Sequence, residues 1–394
     1  MEAGVTVQLS AIPRANLPFP VSEYEKRQQR VLNAAAAAGL DAILVTAHGH
    51  LRYLSGYSGY GGYFGPFPLI LAPGLPATYV VREYEVQSVR DEGCVKRVIG
   101  YTHLREFGKV CADVLRKHGL QKKRVGLELG CWNLAPADVF ALQAELPELK
   151  IVDASKIVSA VATVKSDLEL RAMRDAMATT DLAIRTFQQT LHSGVTEIEV
   201  ADAVQEAVRL AGGEPANVVS LGFGDRNKLP HGKPSSHRLS NNEPAMIEVG
   251  CYKDFYAAAL VRSAVLGRHP ETEALHALAE EALEAGIAAA KPGVTLGEVD
   301  AAVRKVVARS RRPDAFRHRT GYQIGAPWNE RGNLSLEPGA TEVIETGMTF
   351  HMPIILFSEG GYLFGCSETV VVTERGAAPL STTTHALYRT SCGQ

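Results

Sequence analysis

No two of the six cysteines stand at C-x-x-C spacing, and none is set with histidine at the intervals of a zinc site. Scattered at 94, 111, 131, 251, 366 and 392, they read as reduced thiols in a cytoplasm. An excess of charge of either sign is also missing: 41 Lys+Arg stand against 43 Asp+Glu, a net charge of −2. That excludes a domain-wide basic field for nucleic acid and an acidic tail for a charged partner. One uncharged run, residues 60–81, is long enough to span a bilayer, but Pro66, Pro68, Pro73 and Pro76 interrupt it, so no membrane helix is expected. The opening stretch MEAGVTVQLSAIPR lacks a basic segment followed by an apolar one, so no signal peptide is expected either. Glycine-rich phosphate and dinucleotide loops are absent, as is H-E-x-x-H. The stretch GYSGYGG is not a G-x-S-x-G nucleophile elbow, because Tyr60 takes the place of the last glycine.

What is present is an ordinary globular composition, 46% hydrophobic and 21% charged over 394 residues, enough for two or three domains. Residues 23–39 read as a helix closed by Gly39, followed by the strand DAILVTA and a turn-rich segment, YLSGYSGYGGYFGPF. LPATYVVR, RVGLELG and LKIVDAS add strands, with a helix near 103–119. Strands alternating with helices predict an α/β domain over residues 1–160. A long amphipathic helix, about 167–191, opens a second domain over 161–394.

That second domain carries an internal repeat. Residues 194–208, GVTEIEVADAVQEAV, and residues 293–307, GVTLGEVDAAVRKVV, agree at eight of fifteen positions. Each copy holds a capping box, Thr196 with Glu199 and Thr295 with Glu298. A helix precedes and strand-like segments follow in both, so duplication explains the match better than chance. Two similar halves normally enclose one cleft, and polar residues inside their strands become the candidates.

The first half offers His231, His237, Glu248 and Asp254; the second offers His318, Tyr322, His351 and Glu368. Glu248 interrupts the apolar run PAMIEVG, and Glu368 begins the run ETVVV. A lone strand glutamate is usually one that escapes to solvent at a sheet edge. A pair, one from each half of a duplicated domain, favours function, since cleft carboxylates serve as acid, base or nucleophile. Most of the twelve histidines read as core or surface residues; His231 and His351, beside glycines or prolines in cleft-forming segments, do not. The glycines and tyrosines of 56–63 read as a flexible loop or, more sharply, as one that caps a cleft.

Taken together, the chain resembles the pita-bread superfamily of creatinase, aminopeptidase P and methionine aminopeptidase. The resemblance implies an α/β N-terminal domain and an α+β pita-bread domain with pseudo-twofold duplication and the site between its halves. The peptidases of that superfamily hold two metal ions with Asp, Asp, His, Glu and Glu. At those motif positions this sequence has Glu248, Ala259, Tyr322, Pro353 and Glu368. Two carboxylates cannot build a two-metal site. The pattern is similar to the metal-free ectoine hydrolases: Glu248 with Arg262 fourteen residues on, R-T-G-Y-x-I-G at 319–325, W-x-E-R at 328–331, S-L-x-P-G at 335–339 and G-M-T-F-H at 347–351. Creatinase is a weaker match, having a glutamate where Val261 stands. After His351 the ectoine pattern also departs, with Met352 and Pro353 in place of Leu-Met-Pro.

The resulting expectation is a metal- and cofactor-independent hydrolase of a non-peptide C–N bond in a small amidine, guanidine or amide. The catalytic candidates are Glu248, His231 and Glu368, with Tyr322, His351, His318, Tyr60 and Phe64 binding substrate and Arg262 pairing with an acid in the sheet. The creatinase likeness implies a homodimer in which a loop around Tyr57, Tyr60, Tyr63 and Phe64 covers the neighbouring cleft. The rival readings are a peptidase or lyase with an unusual metal site and a non-catalytic interaction protein. The joint presence of His231, Glu248 and Glu368 speaks against the latter.

Overall fold

A computed structural model describes residues 17–59, 65–215, 219–326, 328 and 333–390. The chain divides into two compact units, one running to Val161 and the other starting at Ala162. No helix among the described residues is long and apolar enough to cross a membrane.

The first unit is built on a six-stranded sheet of β1 (Ala42–Val45), β2 (Leu69–Leu71), β3 (Thr78–Arg82), β4 (Arg97–Tyr101), β5 (Arg124–Leu127) and β6 (Lys150–Asp153). Their order is β4-β3-β2-β1-β5-β6, with β2 antiparallel to both neighbours and the remaining pairs parallel. β1, β2 and β5 are almost wholly apolar, as strands covered on both faces must be. The helix expected at 23–39 spans Val21–Ala37 and buries Tyr24, Val31 and Ala35. The turn-rich reading after β1 missed a helix, His48–Ser55, which ends at Gly56 in the left-handed region, φ 74°. Inside that helix His50 bonds Glu128 through Nδ1 and Ser159 through Nε2 at 3.1 Å. All three are fully buried, and Glu128 also accepts the amides of Thr46 and Ala47, so this cluster ties the helix start to β5.

In the second unit the repeat becomes two helix pairs, Asp167–Thr190 with Glu197–Leu210 and Pro270–Ala289 with Leu296–Arg309. Both capping boxes close: the Glu199 and Glu298 carboxylates each accept the amide of their threonine at 2.8 Å. Each pair covers a five-stranded sheet. The first contains β7 (Glu214–Pro215), β8 (Ser220–Phe223), β9 (Glu243–Lys253) and β10 (Tyr256–Leu266), joined at its edge by β16 (Tyr388–Thr390). The second contains β11 (Gly321–Gln323), β12 (Ser335–Leu336), β13 (Thr349–Phe357), β14 (Leu363–Thr373) and β15 (Gly376–Pro379). The longest hairpin, β9–β10, turns on Asp254 and Phe255 at φ 50° and 71°. Asp254, a sequence candidate, is therefore a turn residue.

β10 and β14 meet through side-chain hydroxyls. Thr369 Oγ1 accepts the amide of Ala259 and donates to its carbonyl, Ser367 Oγ accepts the amide of Val261, and Ser263 Oγ donates to the carbonyl of Gly365. Backbone groups buried between two sheets need partners, and here short hydroxyl residues supply them.

Candidate active site

Strand alternation decides which residues meet the cleft. Ser220 and Val261 pair with Glu248 from either side, so one face of β8, β9 and β10 presents all three. On the other sheet Tyr322 pairs with His351, and Pro353, Ile355, Phe357 and Leu363 follow on the same face. Between these faces lie two adjoining lobes of about 390 and 560 Å³. Ser220, His231, Glu248, Arg319 and Tyr322 line both lobes. The smaller lobe continues between Leu221, Met246, Ile355, Phe357 and Leu363 and is apolar; the larger passes Lys233, Gly250 and Trp328.

Glu248 stands at the junction. Burial raises its pKa above the ordinary carboxylate range, and His231 opposes that rise from 3.8 Å. No described residue hydrogen-bonds its carboxylate, so its charge is directed at the cleft. His231 was expected in a cleft strand; it lies instead on a turn with φ 55°, its side chain 83% exposed. A non-glycine residue held in that conformation is uncommon and marks a position fixed by its surroundings. The fixing group is Glu197, which sequence reasoning missed because it looked like an ordinary first-turn acid. Fully buried, it accepts Phe223 N and Ser235 N at 2.8 Å, Ser235 Oγ at 2.7 Å and Arg226 Nε at 2.8 Å, closing the loop that bears His231.

Tyr322 Oη receives the indole N–H of Trp328 at 3.0 Å and lies 3.0 Å from His351 Nδ1. The Arg319 guanidinium stacks over its ring, 4.3 Å from the centroid. Gly250 makes room for the indole: a Cβ there would lie 2.5 Å from Trp328.

Three expectations need correction. Glu368 is one residue out of phase: it pairs with Met352, on the face of β14 away from Pro353 and Ser367. It lines neither lobe, and its oxygens are held by Ser381 Oγ at 2.6 Å, His385 Nε2 at 2.8 Å and Arg262 Nη2 at 3.5 Å. The expected acid partner of Arg262 is thus Glu368, and the pair anchors the segment 381–385. His351 is likewise fully buried behind Tyr322 and does not line the cleft. His318 does line it, but both of its ring nitrogens face backbone carbonyls, of Arg319 at 2.8 Å and Ile355 at 3.0 Å, leaving neither for a ligand. Of the proposed lid, Tyr60, Tyr63 and Phe64 lie outside the described residues, and Tyr57 is buried, bonding Glu85 at 3.2 Å.

The residues do not fit the pair of metal ions that the peptidases of the superfamily hold. No group of three or more His, Cys, Asp or Glu among the described residues could hold a metal ion. Of the five motif positions only Glu248 offers a carboxylate to the cleft. Ala259 is a buried methyl, Tyr322 and Pro353 replace a histidine and a carboxylate, and an arginine already balances Glu368.

Residues 171–374 match the model of metallopeptidase family M24, and residues 27–162 match the creatinase/prolidase N-terminal domain. The chain is 29% identical over 390 residues to an uncharacterized hydrolase/peptidase of Sinorhizobium fredii, covering 94% of this chain and 98% of that one. It is 25% identical to the Xaa-Pro dipeptidase of Pyrococcus horikoshii, covering 92% and 98%. The crystal structure of dipeptidase PepE from Mycobacterium ulcerans superposes with a TM-score of 0.84 at 24% identity, covering 95% and 99%, and so shares the fold. Relatives named for an activity are peptidases, Xaa-Pro dipeptidases and probable dipeptidases among them, and this overturns the expected non-peptide C–N substrate, which had rested on the ectoine-hydrolase likeness. With the family model spanning more than half of its length, this chain belongs to metallopeptidase family M24 and carries a creatinase/prolidase N-terminal domain ahead of the pita-bread domain.

Proposed function

We propose that this protein hydrolyses the peptide bond of a dipeptide or similarly short peptide, using its own side chains in place of the two-metal centre. The carrying observation is Glu248: a carboxylate with a raised pKa and no hydrogen-bond partner among the described residues, 3.8 Å from a histidine where two lobes join. The dipeptidase relatives supply the substrate class. An apolar residue of the substrate suits the Leu221–Met246–Phe357 lobe, and a terminal carboxylate suits the lobe that has Lys233 and Arg319.

In the reaction, ionised Glu248 takes a proton from water as its oxygen attacks the scissile carbonyl carbon. The tetrahedral intermediate collapses, the C–N electron pair goes to the leaving nitrogen, and that nitrogen takes a proton. Glu248 returns the proton it took, through His231, whose exposed turn reaches both the carboxylate and the departing amine. Water is thus divided between the new carboxyl and the new amine.

A panel of apolar–Xaa and Xaa-Pro dipeptides tests this, read by mass spectrometry on protein dialysed against chelator, with and without added Mn²⁺ or Co²⁺. Turnover without metal supports the reading; turnover only with metal, or none on any dipeptide, overturns it. A homodimer in which a partner's first unit completes the cleft belongs to the same proposal; light scattering that shows a monomer at micromolar concentration rejects it.

A further inference from the structure

Behind Tyr322 the hydrogen bonds can be counted to a single solution. Ser367 Oγ is fully buried and has two partners among the described residues: the amide of Val261 at 2.6 Å and Nε2 of His351 at 2.8 Å. The amide can only donate, so the hydroxyl proton has one acceptor, Nε2. His351 then carries its proton on Nδ1, and that N–H points at Tyr322 Oη, 3.0 Å away. Trp328 Nε1, a donor only, approaches the same oxygen at 3.0 Å. With two donors on its oxygen, the tyrosine keeps its own proton for a third direction. Tyr322 lines both lobes, and burial, with the charge of Glu248 nearby, raises its pKa, so the hydroxyl stays protonated in the working range. Burial also keeps His351 neutral, its pKa lowered to about 3, as an acceptor of the serine proton must be.

We propose that Ser367 and His351 are positioning residues that fix the Tyr322 hydroxyl as a hydrogen-bond donor into the cleft, where it holds the developing oxyanion of the scissile carbonyl. The oxyanion role rests on the peptide-hydrolase reading; the direction of the proton does not. Donors fixed before the reaction hold developing charge without reorganising, and removing one commonly costs about a hundredfold or more in kcat. A neutral phenol, pinned from behind by an imidazole and an indole, would in this way supply the electrophilic contact to the carbonyl oxygen.

The test reads the tautomer directly. In full-length protein labelled with 15N-histidine, the His351 ring signals are assigned by their loss in His351→Gln. The expected pattern is neutral imidazole with the proton on Nδ1, unchanged between pH 5 and 8. A proton on Nε2, or titration near pH 6.5, overturns the chain of donors. Ser367→Ala removes the acceptor-side constraint and is expected to give a mixture of tautomers; an unchanged spectrum overturns the role of Ser367. Tyr322→Phe, assayed on the best dipeptide of the panel, is expected to lose about a hundredfold in kcat with KM within twofold. Equal loss through KM overturns the oxyanion role. If no dipeptide is turned over, the functional reading fails while the spectra still decide the direction of the proton.

Discussion

Glu248 and Glu368 look alike in the sequence and do opposite things in the structure. Glu248 faces a cleft with its charge uncompensated by any hydrogen bond from a described residue, so Glu248→Gln should abolish turnover, by a hundredfold or more. Because its folded pKa is raised, the native state binds the extra proton, and the ionised side chain destabilises the fold increasingly as pH rises through the shifted value. The variant should therefore melt at the wild-type temperature or slightly above it at pH 7, and this advantage should vanish at pH 4. An early-melting, active variant would make Glu248 a core residue. Glu368→Gln should do the reverse. It strips the counter-charge from the buried Arg262 and loosens Ser381 and His385, which should cost about 3–5 kcal/mol in a denaturant melt. The Glu248 candidate was legible because a carboxylate inside an apolar strand is conspicuous. The Glu368 reading failed because strands repeat every two residues: a one-residue slip puts Ser367 on the cleft side and the carboxylate behind it.

At the scale of elements, the repeated helix starts were readable, since a capping box is local chemistry and both copies formed as expected. The His48–Ser55 helix was not, because its last turn runs into the turn-rich segment that starts at Tyr53, while its stability comes from burial and from the Glu128–His50 contact. Glu197 was hidden for a similar reason: its five hydrogen bonds go to residues 26 to 38 positions away. It governs the loop that places His231. Glu197→Gln keeps the volume but loses the charge facing Arg226, and one amide cannot replace both carboxylate oxygens. Faster proteolytic cleavage within residues 224–235 is expected, with kcat falling further than the melting temperature. Unchanged cleavage would show that the loop is held by other contacts.

For the whole molecule, pH dependence follows from histidines that are buried neutral. Folding lowers the pKa of His351 to about 3 and that of His276 to about 4, in both cases chiefly by burial. Above pH 6.5 neither state binds a proton at these sites and they contribute nothing to the slope. Below it the unfolded chain protonates first, so stability falls as pH drops from 6.5 toward 4. Glu248 acts in the opposite sense, but one carboxylate is set against two imidazoles. Thermal melts should be flat from pH 7 to 8 and decline below 6.5, and His276→Gln should remove part of that decline. A melting temperature that rises on acidification would contradict the assignment.

The hydroxyl seam between β10 and β14 bears on how the two halves are joined. Ala259 and Val261 of the first half give their amides to the hydroxyls of Thr369 and Ser367 in the second. The first half answers with a hydroxyl of its own, since Ser263 Oγ donates to the carbonyl of Gly365. The halves are complementary, as a plug is to a socket. The serine that closes this seam is also the one that orients His351, so a change that loosens the joint between the sheets also unsettles the cleft tyrosine, and both run through a single side chain.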